Sequence, residues 1–165
     1  MRFIGFIIFL GCIFCMLLTP TAALATAQVA EALNYEGEKG VMFSLPAIPT
    51  GNPRIRAVSK EELDKKIADK EISSVVRSTA CWRQYIGSWE IKDGRLYLID
   101  VIGLFALTGE EPLFADWFSG SMRVPRGKQL RYVHMGFESV YEEDFIVHVV
   151  NGIVTGTEVI DNRPK

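Results

Sequence analysis

Two dipeptides, Asp93-Gly94 and Asn151-Gly152, constrain the fold of this 165-residue chain more than any other feature. Each separates two runs in which apolar and polar residues alternate, which is the pattern of β-strands. A two-residue hairpin turn requires positive φ at both central residues, and Asp, Asn and Gly tolerate that conformation best. The sequence therefore predicts two antiparallel hairpins. A third hairpin is predicted after the loop at Gly109–Pro112, with its turn at Pro125-Arg126-Gly127.

The Asp93-Gly94 turn also predicts a strand register, in which Gly87 lies opposite Asp100 on the core face of the hairpin. An acid on that face is acceptable only near a strand end or beside a buried partner, because an isolated carboxylate is costly to bury. In the last hairpin, the same reasoning places His148 opposite Thr155.

The rest of the chain is less regular. Residues 27–33 are predicted as a short helix, residues 41–45 as a first strand, and residues 46–54, which include three prolines, as a loop. Ser59 and Glu62 match a capping box, which predicts a surface helix from Ser59 onward. Sequential antiparallel strands need only short turns. The predicted fold is α+β and mostly β: an antiparallel meander that forms a curved sheet or partly closed barrel, with one short helix.

The amino-terminal residues have the three parts of a secretory signal: a positive start, an apolar stretch from Phe3 to Leu18, and a small-residue ending at Ala25. We expect cleavage after Ala25 and export to the periplasm or the medium. Two alternatives stay open: residues 3–25 persist as a membrane anchor, or a lipid is attached at Cys12 or Cys15. The predicted organisation is a signal peptide over 1–25, an extended segment over 26–58, and a helix plus antiparallel β domain over 59–165.

The sequence lacks the motifs of several kinds of binding and catalytic site. The formal net charge of −2 provides no basic surface for nucleic acid. The sequence has no glycine-rich phosphate loop, no G-x-S-x-G motif and no zinc-binding histidine motif. Cys81 is the one cysteine after the predicted signal, and we expect a buried thiol there. We predict no cofactor, no metal and no recognisable catalytic residue, and membrane contact only through the amino-terminal segment.

Aromatic residues crowd the predicted β region, and most are expected in the sheet core. Some of them stand beside polar groups, where they can form a surface for a ligand or a partner. The candidate binding residues are Trp82, Tyr85, Asp116, Trp117 and His134.

Two resemblances accompany these patterns. Gly87-Ser88-Trp89 resembles the G-x-W motif that opens small-ligand barrels of the lipocalin type. The stretches CWRQYIGSWEIKDGRLYLIDV, FADWFSG and YVHMGFESVYE, within residues 78–160, resemble a family of uncharacterised bacterial proteins. The second resemblance implies one β-rich bacterial domain and supplies no activity.

These observations favour an exported bacterial envelope protein without enzymatic activity, which binds a protein or envelope component through an aromatic-rich β surface. One alternative is a carrier of a small apolar ligand in a lipocalin-like barrel, which requires a cavity inside the sheet. The other is a hydrolase with an unrecognised site, which requires two acids, or Cys81 and His134, to converge in one cleft.

Overall fold

The computed structural model describes residues 26–164 of the protein. The predicted signal, anchor and lipid-attachment sites within residues 1–25 lie outside the described residues. No helix between residues 26 and 164 is both long enough and apolar enough to cross a membrane.

About half of the described chain is strand. The strands are β1 (Glu31–Tyr35), β2 (Glu38–Met42), β3 (Ile55–Ala57), β4 (Tyr85–Lys92), β5 (Arg95–Gly103), β6 (Phe105–Leu107), β7 (Leu113–Phe114), β8 (Gly120–Arg131), β9 (Val140–Val150) and β10 (Ile153–Asp161). Eight of these strands form a curved mixed sheet that does not close into a barrel, in the order β2-β1-β4-β5-β10-β9-β8 with β7 also paired to β5, while β3 pairs separately with β6. The prediction of a mostly β, α+β fold with one helix and a curved sheet is confirmed.

The helix α1 spans Lys60–Ala68, and two short 3₁₀ helices follow at Ser74–Arg77 and Thr79–Cys81. The Ser59 hydroxyl accepts the Glu62 backbone N–H at 3.1 Å, as the capping box predicts. The Glu62 carboxylate instead pairs with Arg56 at 2.8 Å, and this guanidinium lowers the pKa of Glu62 to about 2. Leu63 is the buried residue of α1 and packs with Val58 and Val76 beside the sheet.

Both predicted two-residue turns are present, with positive φ at Asp93, Gly94, Asn151 and Gly152. The predicted register of the first hairpin holds from its turn back to Trp89, and then a bulge shifts it. Asp100 consequently pairs with Ser88 instead of Gly87, and Val101 takes the core position. The bulge keeps the Asp100 carboxylate at the surface, where it accepts the Val101 N–H at 2.8 Å, so no unpaired acid is buried.

A second bulge changes the register of the last hairpin. Val154 pairs with Val149 as predicted, but Gly156 takes the place opposite His148 that was predicted for Thr155. Because the side-chain period of a strand is two, this single extra residue moves every later side chain of β10 to the other face.

The hairpin predicted around Pro125-Arg126-Gly127 is wrong, because β8 runs through these residues and pairs with β9. Gly127 has φ +75° and forms an irregularity in the strand instead of a reversal. The Lys128 N–H donates to the Glu142 carboxylate at 3.0 Å, which satisfies a donor displaced from the ladder. Pro125 is tolerated since β8 lies at an edge of the sheet.

The predicted helix over residues 27–33 is also wrong. Glu31–Tyr35 is a strand, and a turn at Glu36-Gly37, both with positive φ, leads into β2. β1 pairs parallel to β4, which makes the sheet mixed instead of a purely antiparallel meander. The division of the chain into domains stays a prediction.

The core lies between the two halves of the curved sheet. Leu33, Trp89 and Leu98 from the first half meet Met122 and Val147 from the second, and all of them are buried. Cys81 is buried as predicted, and its thiol lies 3.2 Å from the Tyr85 carbonyl oxygen. Since apolar side chains dominate the inner face, most polar side chains lie on the outer face and in the loops.

One ion pair lies inside this core. Glu31 on β1 is 0% exposed, and its carboxylate lies 3.2 Å from Arg83 Nε and accepts the Trp89 indole N–H at 2.5 Å. Burial raises the pKa of Glu31 above its ordinary value of 4.5, although the Trp89 N–H and the Arg83 charge oppose the rise. The absence of a side chain at Gly87 leaves room for the Trp89 indole and the Glu31 carboxylate, because a β-carbon there would lie 2.7 Å from Trp89 Nε1.

We predict that Arg83→Met lowers the free energy of unfolding by about 3–5 kcal/mol at neutral pH, because it leaves a buried carboxylate without a cation. Because the pKa of Glu31 is raised in the folded state, protonation of this side chain adds to the free energy of unfolding. That addition is complete below pH 4.5 and is lost as the pH rises through the raised pKa. Losing Arg83 raises the pKa further, so the cost of the variant should shrink towards pH 4.5. Urea denaturation at both pH values measures this.

Arg131→Met is the matched control, since Arg131 is exposed. The double variant Glu31→Gln/Arg83→Met should regain stability at neutral pH, because the amide still accepts from Trp89 without a charge. An equal loss for Arg83→Met at both pH values would contradict the prediction.

The two hairpin turns offer a matched test of packing. Gly94→Ala should cost about 1 kcal/mol, because its φ of +69° is strained for alanine and its surroundings are open. Gly152→Ala should cost about 1–3 kcal/mol more, because at the similar φ of +76° its β-carbon would lie 2.7 Å from the Ala115 carbonyl oxygen. Thermal and urea denaturation compare the two, and equal losses would show that the turn at Gly152 is not packed as described.

Candidate functional site

The structure places the five predicted binding residues in different settings. Trp82 is 71% exposed at the end of the second 3₁₀ helix, and Asp116 is exposed in the loop after β7. His134 follows the end of β8, where its Nδ1 lies 2.8 Å from the Tyr132 hydroxyl. These residues belong to three separate segments of the chain.

Trp117 and Tyr85 pack against the core instead of forming an open binding surface. The Trp117 indole N–H donates to the Ala47 carbonyl at 2.8 Å, and its ring lies 6.5 Å from that of Trp89. Tyr85 is half-buried and packs edge-on against Phe105 at 5.8 Å. Burial raises the pKa of the Tyr85 hydroxyl above its ordinary value.

A groove on the outer side of the first hairpin brings several acids together. Its volume is about 340 Å³. Three carboxylates and one ammonium group contribute to its lining, together with an aromatic ring and a proline. We call it the acidic groove, and its residues are Glu90, Lys92, Asp93, Tyr97, Glu111 and Pro112.

The sheet register places these residues around Tyr97. Tyr97 on β5 pairs with Glu90 on β4 and, at its other edge, with Phe114 on β7. Its ring lies 5.7 Å from that of Phe114, at an angle of 56°. The loop before β7 carries Glu111, so the two glutamates belong to segments on opposite sides of the tyrosine strand.

Neighbouring groups hold both glutamates in place. The Asn34 side-chain amide donates to Glu90 Oε1 at 2.7 Å, across the parallel pair of β1 and β4. Arg54 holds the Glu111 loop, because its Nε donates to the Thr108 carbonyl at 2.9 Å and its Nη2 donates to the Glu111 carbonyl. Three carboxylates, an aromatic ring and a net negative lining suit a positively charged ligand, whose cationic group pairs with carboxylates and whose flat face packs on tyrosine.

The buried Glu31 does not belong to this site. A raised pKa is typical of proton donors in active sites, but Glu31 is fully buried and no substrate can reach it. Its role is structural. Across residues 26–164, no group of three or more His, Cys, Asp or Glu side chains is arranged to hold a metal ion.

Sequence reasoning missed the acidic groove, although part of the signal was present. The Asp93-Gly94 register already placed Glu90 and Tyr97 on the outer face of the hairpin. Glu111 is distant in sequence and reaches the groove only through the β5–β7 pairing and the Arg54 contacts. No local pattern connects these residues, because strand pairing and loop contacts bring them together from distant parts of the chain.

A comparison with curated proteins identifies one relevant similarity. The chain is 34% identical over 138 residues to a chitosanase from Nocardioides sp. (strain N106), covering 76% of this chain and 49% of the relative. The chain therefore spans about half the length of the curated relative it matches. No protein family matches the chain, and neither does any solved structure.

This similarity overturns the prediction of a non-enzymatic envelope-binding protein, since the relative is a hydrolase. The lipocalin-like carrier is not supported either, because the sheet is not closed and Trp89, Leu96 and Leu98 fill its interior. The hydrolase alternative is the better supported one. Glu90, Asp93 and Glu111 line one groove, as this alternative required of two acids.

Proposed function

We propose that this chain is a glycoside hydrolase that acts on chitosan or a closely related amino-sugar polymer. The similarity to a chitosanase over 76% of the chain carries the proposal. Chitosan is a polymer of glucosamine, and its protonated amino groups favour a negatively charged binding surface. The acidic groove, with three carboxylates and one ammonium group, has the matching charge.

Glu90 and Glu111 supply the two carboxyl groups of the reaction. One protonates the oxygen of the leaving sugar, and the other acts as base or nucleophile at the anomeric carbon. They approach from opposite sides of Tyr97, whose ring supports the sugar between them. Asn34 positions the Glu90 carboxylate, and Arg54 positions the Glu111 loop.

We also propose that the protein is exported, in agreement with the signal predicted over residues 1–25. A polymer of this kind cannot cross a membrane intact, so the enzyme must meet it outside the cell.

The assignment of the two acids is tested by measuring new reducing ends released from chitosan by purified protein. Glu90→Gln and Glu111→Gln should each lower kcat at least about 100-fold, because each removes a group that transfers a proton or bonds to the sugar. Glu61→Gln is the matched control, since Glu61 is an exposed acid on α1. Wild-type protein without chitosan cleavage, or full activity in both variants, would reject the proposal.

The charge of the acidic groove should affect substrate binding separately from the chemical step. Asp93→Asn should raise KM for chitosan several-fold and change kcat little, because this turn residue contributes charge to the lining. Asp69→Asn, at the exposed end of α1, is the control. Added salt should weaken chitosan binding by the wild type more than by Asp93→Asn, because salt screens exposed charges. A KM unchanged by both Asp93→Asn and salt would contradict the role of the groove charge.

A further inference from the structure

Ser121, His148 and Glu158 lie side by side on the outer face of the second half of the sheet, away from the acidic groove. The Ser121 hydroxyl oxygen lies 2.8 Å from His148 Nδ1, and His148 Nε2 lies 3.5 Å from Glu158 Oε1. They come from three adjacent strands, β8, β9 and β10. All three side chains are accessible to solvent, with 43% of His148 and 57% of Glu158 exposed.

The strand pairing explains the contact between Ser121 and His148. The Arg123 backbone N–H donates to the Ser44 hydroxyl, and the Arg123 carbonyl accepts the Phe43 N–H. Both backbone polar groups of Arg123 therefore face away from β9. Ser121 lies two residues earlier in an uninterrupted register and therefore has the same orientation. Ser121 and His148 thus form a non-hydrogen-bonded pair, the type in which opposing side chains lie closest.

The bulge between Val154 and Gly156 brings in the third residue. In a regular ladder Glu158 would lie opposite Phe145, on the core face; with the bulge it lies opposite Ile146, on the same face as His148. Gly156 stands opposite His148, and a β-carbon there would lie 4.0 Å from the imidazole Cδ2. Bulges are frequent beside active sites because they re-aim a side chain in this way.

The chemistry of the three side chains favours one direction for the hydrogen bond between Ser121 and His148. The Glu158 carboxylate attracts a proton on His148 Nε2 across the 3.5 Å contact, and an imidazole with its proton there leaves Nδ1 to accept from the Ser121 hydroxyl. An imidazole in this tautomer can take a proton from a serine nucleophile while the carboxylate orients the ring. The ring is turned relative to the usual serine triad, in which Nε2 faces the serine.

We propose that Ser121, His148 and Glu158 form a second hydrolytic site, which cleaves carboxylic esters, including esters carried on an extended polymer. The site lies on an open sheet face, so the alcohol part of the ester can be of any size. The Ser121 N–H faces the free edge of β8 and is available to hold the carbonyl oxygen of the ester. This site is independent of the glycoside hydrolase function proposed above.

The reaction has two steps. The Ser121 oxygen bonds to the acyl carbon while its proton moves to His148 Nδ1, and the bond to the alcohol oxygen breaks as the alcohol takes that proton. Water then attacks the acyl-serine and gives its proton to His148. The carboxylic acid leaves, and the proton returns to the Ser121 oxygen.

The test combines p-nitrophenyl acetate hydrolysis with mass spectrometry of the protein after treatment with a fluorophosphonate. We expect a covalent adduct on Ser121, and a loss of about 100-fold in kcat/KM for Ser121→Ala. Glu158→Gln should slow both reactions at least tenfold, and Glu158→Asp should restore part of the rate. A residue that merely stabilises the sheet would not change the labelling of Ser121.

Ser74→Ala is the control, because Ser74 is an exposed serine on the first 3₁₀ helix. Circular dichroism and urea denaturation establish that the variants are folded. The proposal is overturned by equal rates in the wild type and Ser121→Ala, or by an adduct on another residue. His148-dependent hydrolysis that survives Ser121→Ala would also overturn it, because the imidazole alone would then account for the activity.

Discussion

The buried pair of Glu31 and Arg83 is the constraint on which the arrangement of the sheet depends. It fastens β1 to the chain just before β4, and the Trp89 N–H holds the carboxylate from within β4. A buried charge pair is costly unless its remaining donors and acceptors are matched. The Arg83 guanidinium also donates to the Val29 carbonyl, at 3.2 Å, so the cluster joins residues 29–31 to residues 83–89 at several points. The parallel pairing of β1 with β4 places Asn34 beside Glu90.

The two faces of the sheet have separate roles. Its inner face is packed with apolar side chains from both halves, and Trp89, Leu96 and Leu98 are at most 1% exposed there. Functional groups therefore lie on the outer face, where strands hold them in fixed register. The acidic groove is formed around Tyr97 by β4, β5 and the loop before β7, while Ser121, His148 and Glu158 lie on the other half.

Two bulges determine which polar side chains reach that outer face. The bulge in β5 turns Asp100 outward and Val101 inward, and the bulge in β10 moves Glu158 to the side of His148. Each inserts one residue, and each reverses the facing of all later residues in its strand. Side chains that a regular ladder would direct into the core thereby remain in water or join a polar cluster.

The sequence by itself determined the mostly β character, the helix after Ser59 and the two tight turns, because these depend on neighbouring residues: alternation, a cap, and dipeptides that tolerate positive φ. It also placed Glu90 and Tyr97 on one outer face, because a two-residue turn determines which residues pair in the strands beside it. Only the tertiary structure decided the bulges, the parallel β1–β4 pair and the course of β8 through Pro125 and Gly127. These features are stabilised by contacts between residues far apart in the chain, such as Glu31 with Arg83 and Glu142 with Lys128. The acidic groove has the same origin, because Glu90 and Glu111 line one groove only when the sheet is formed.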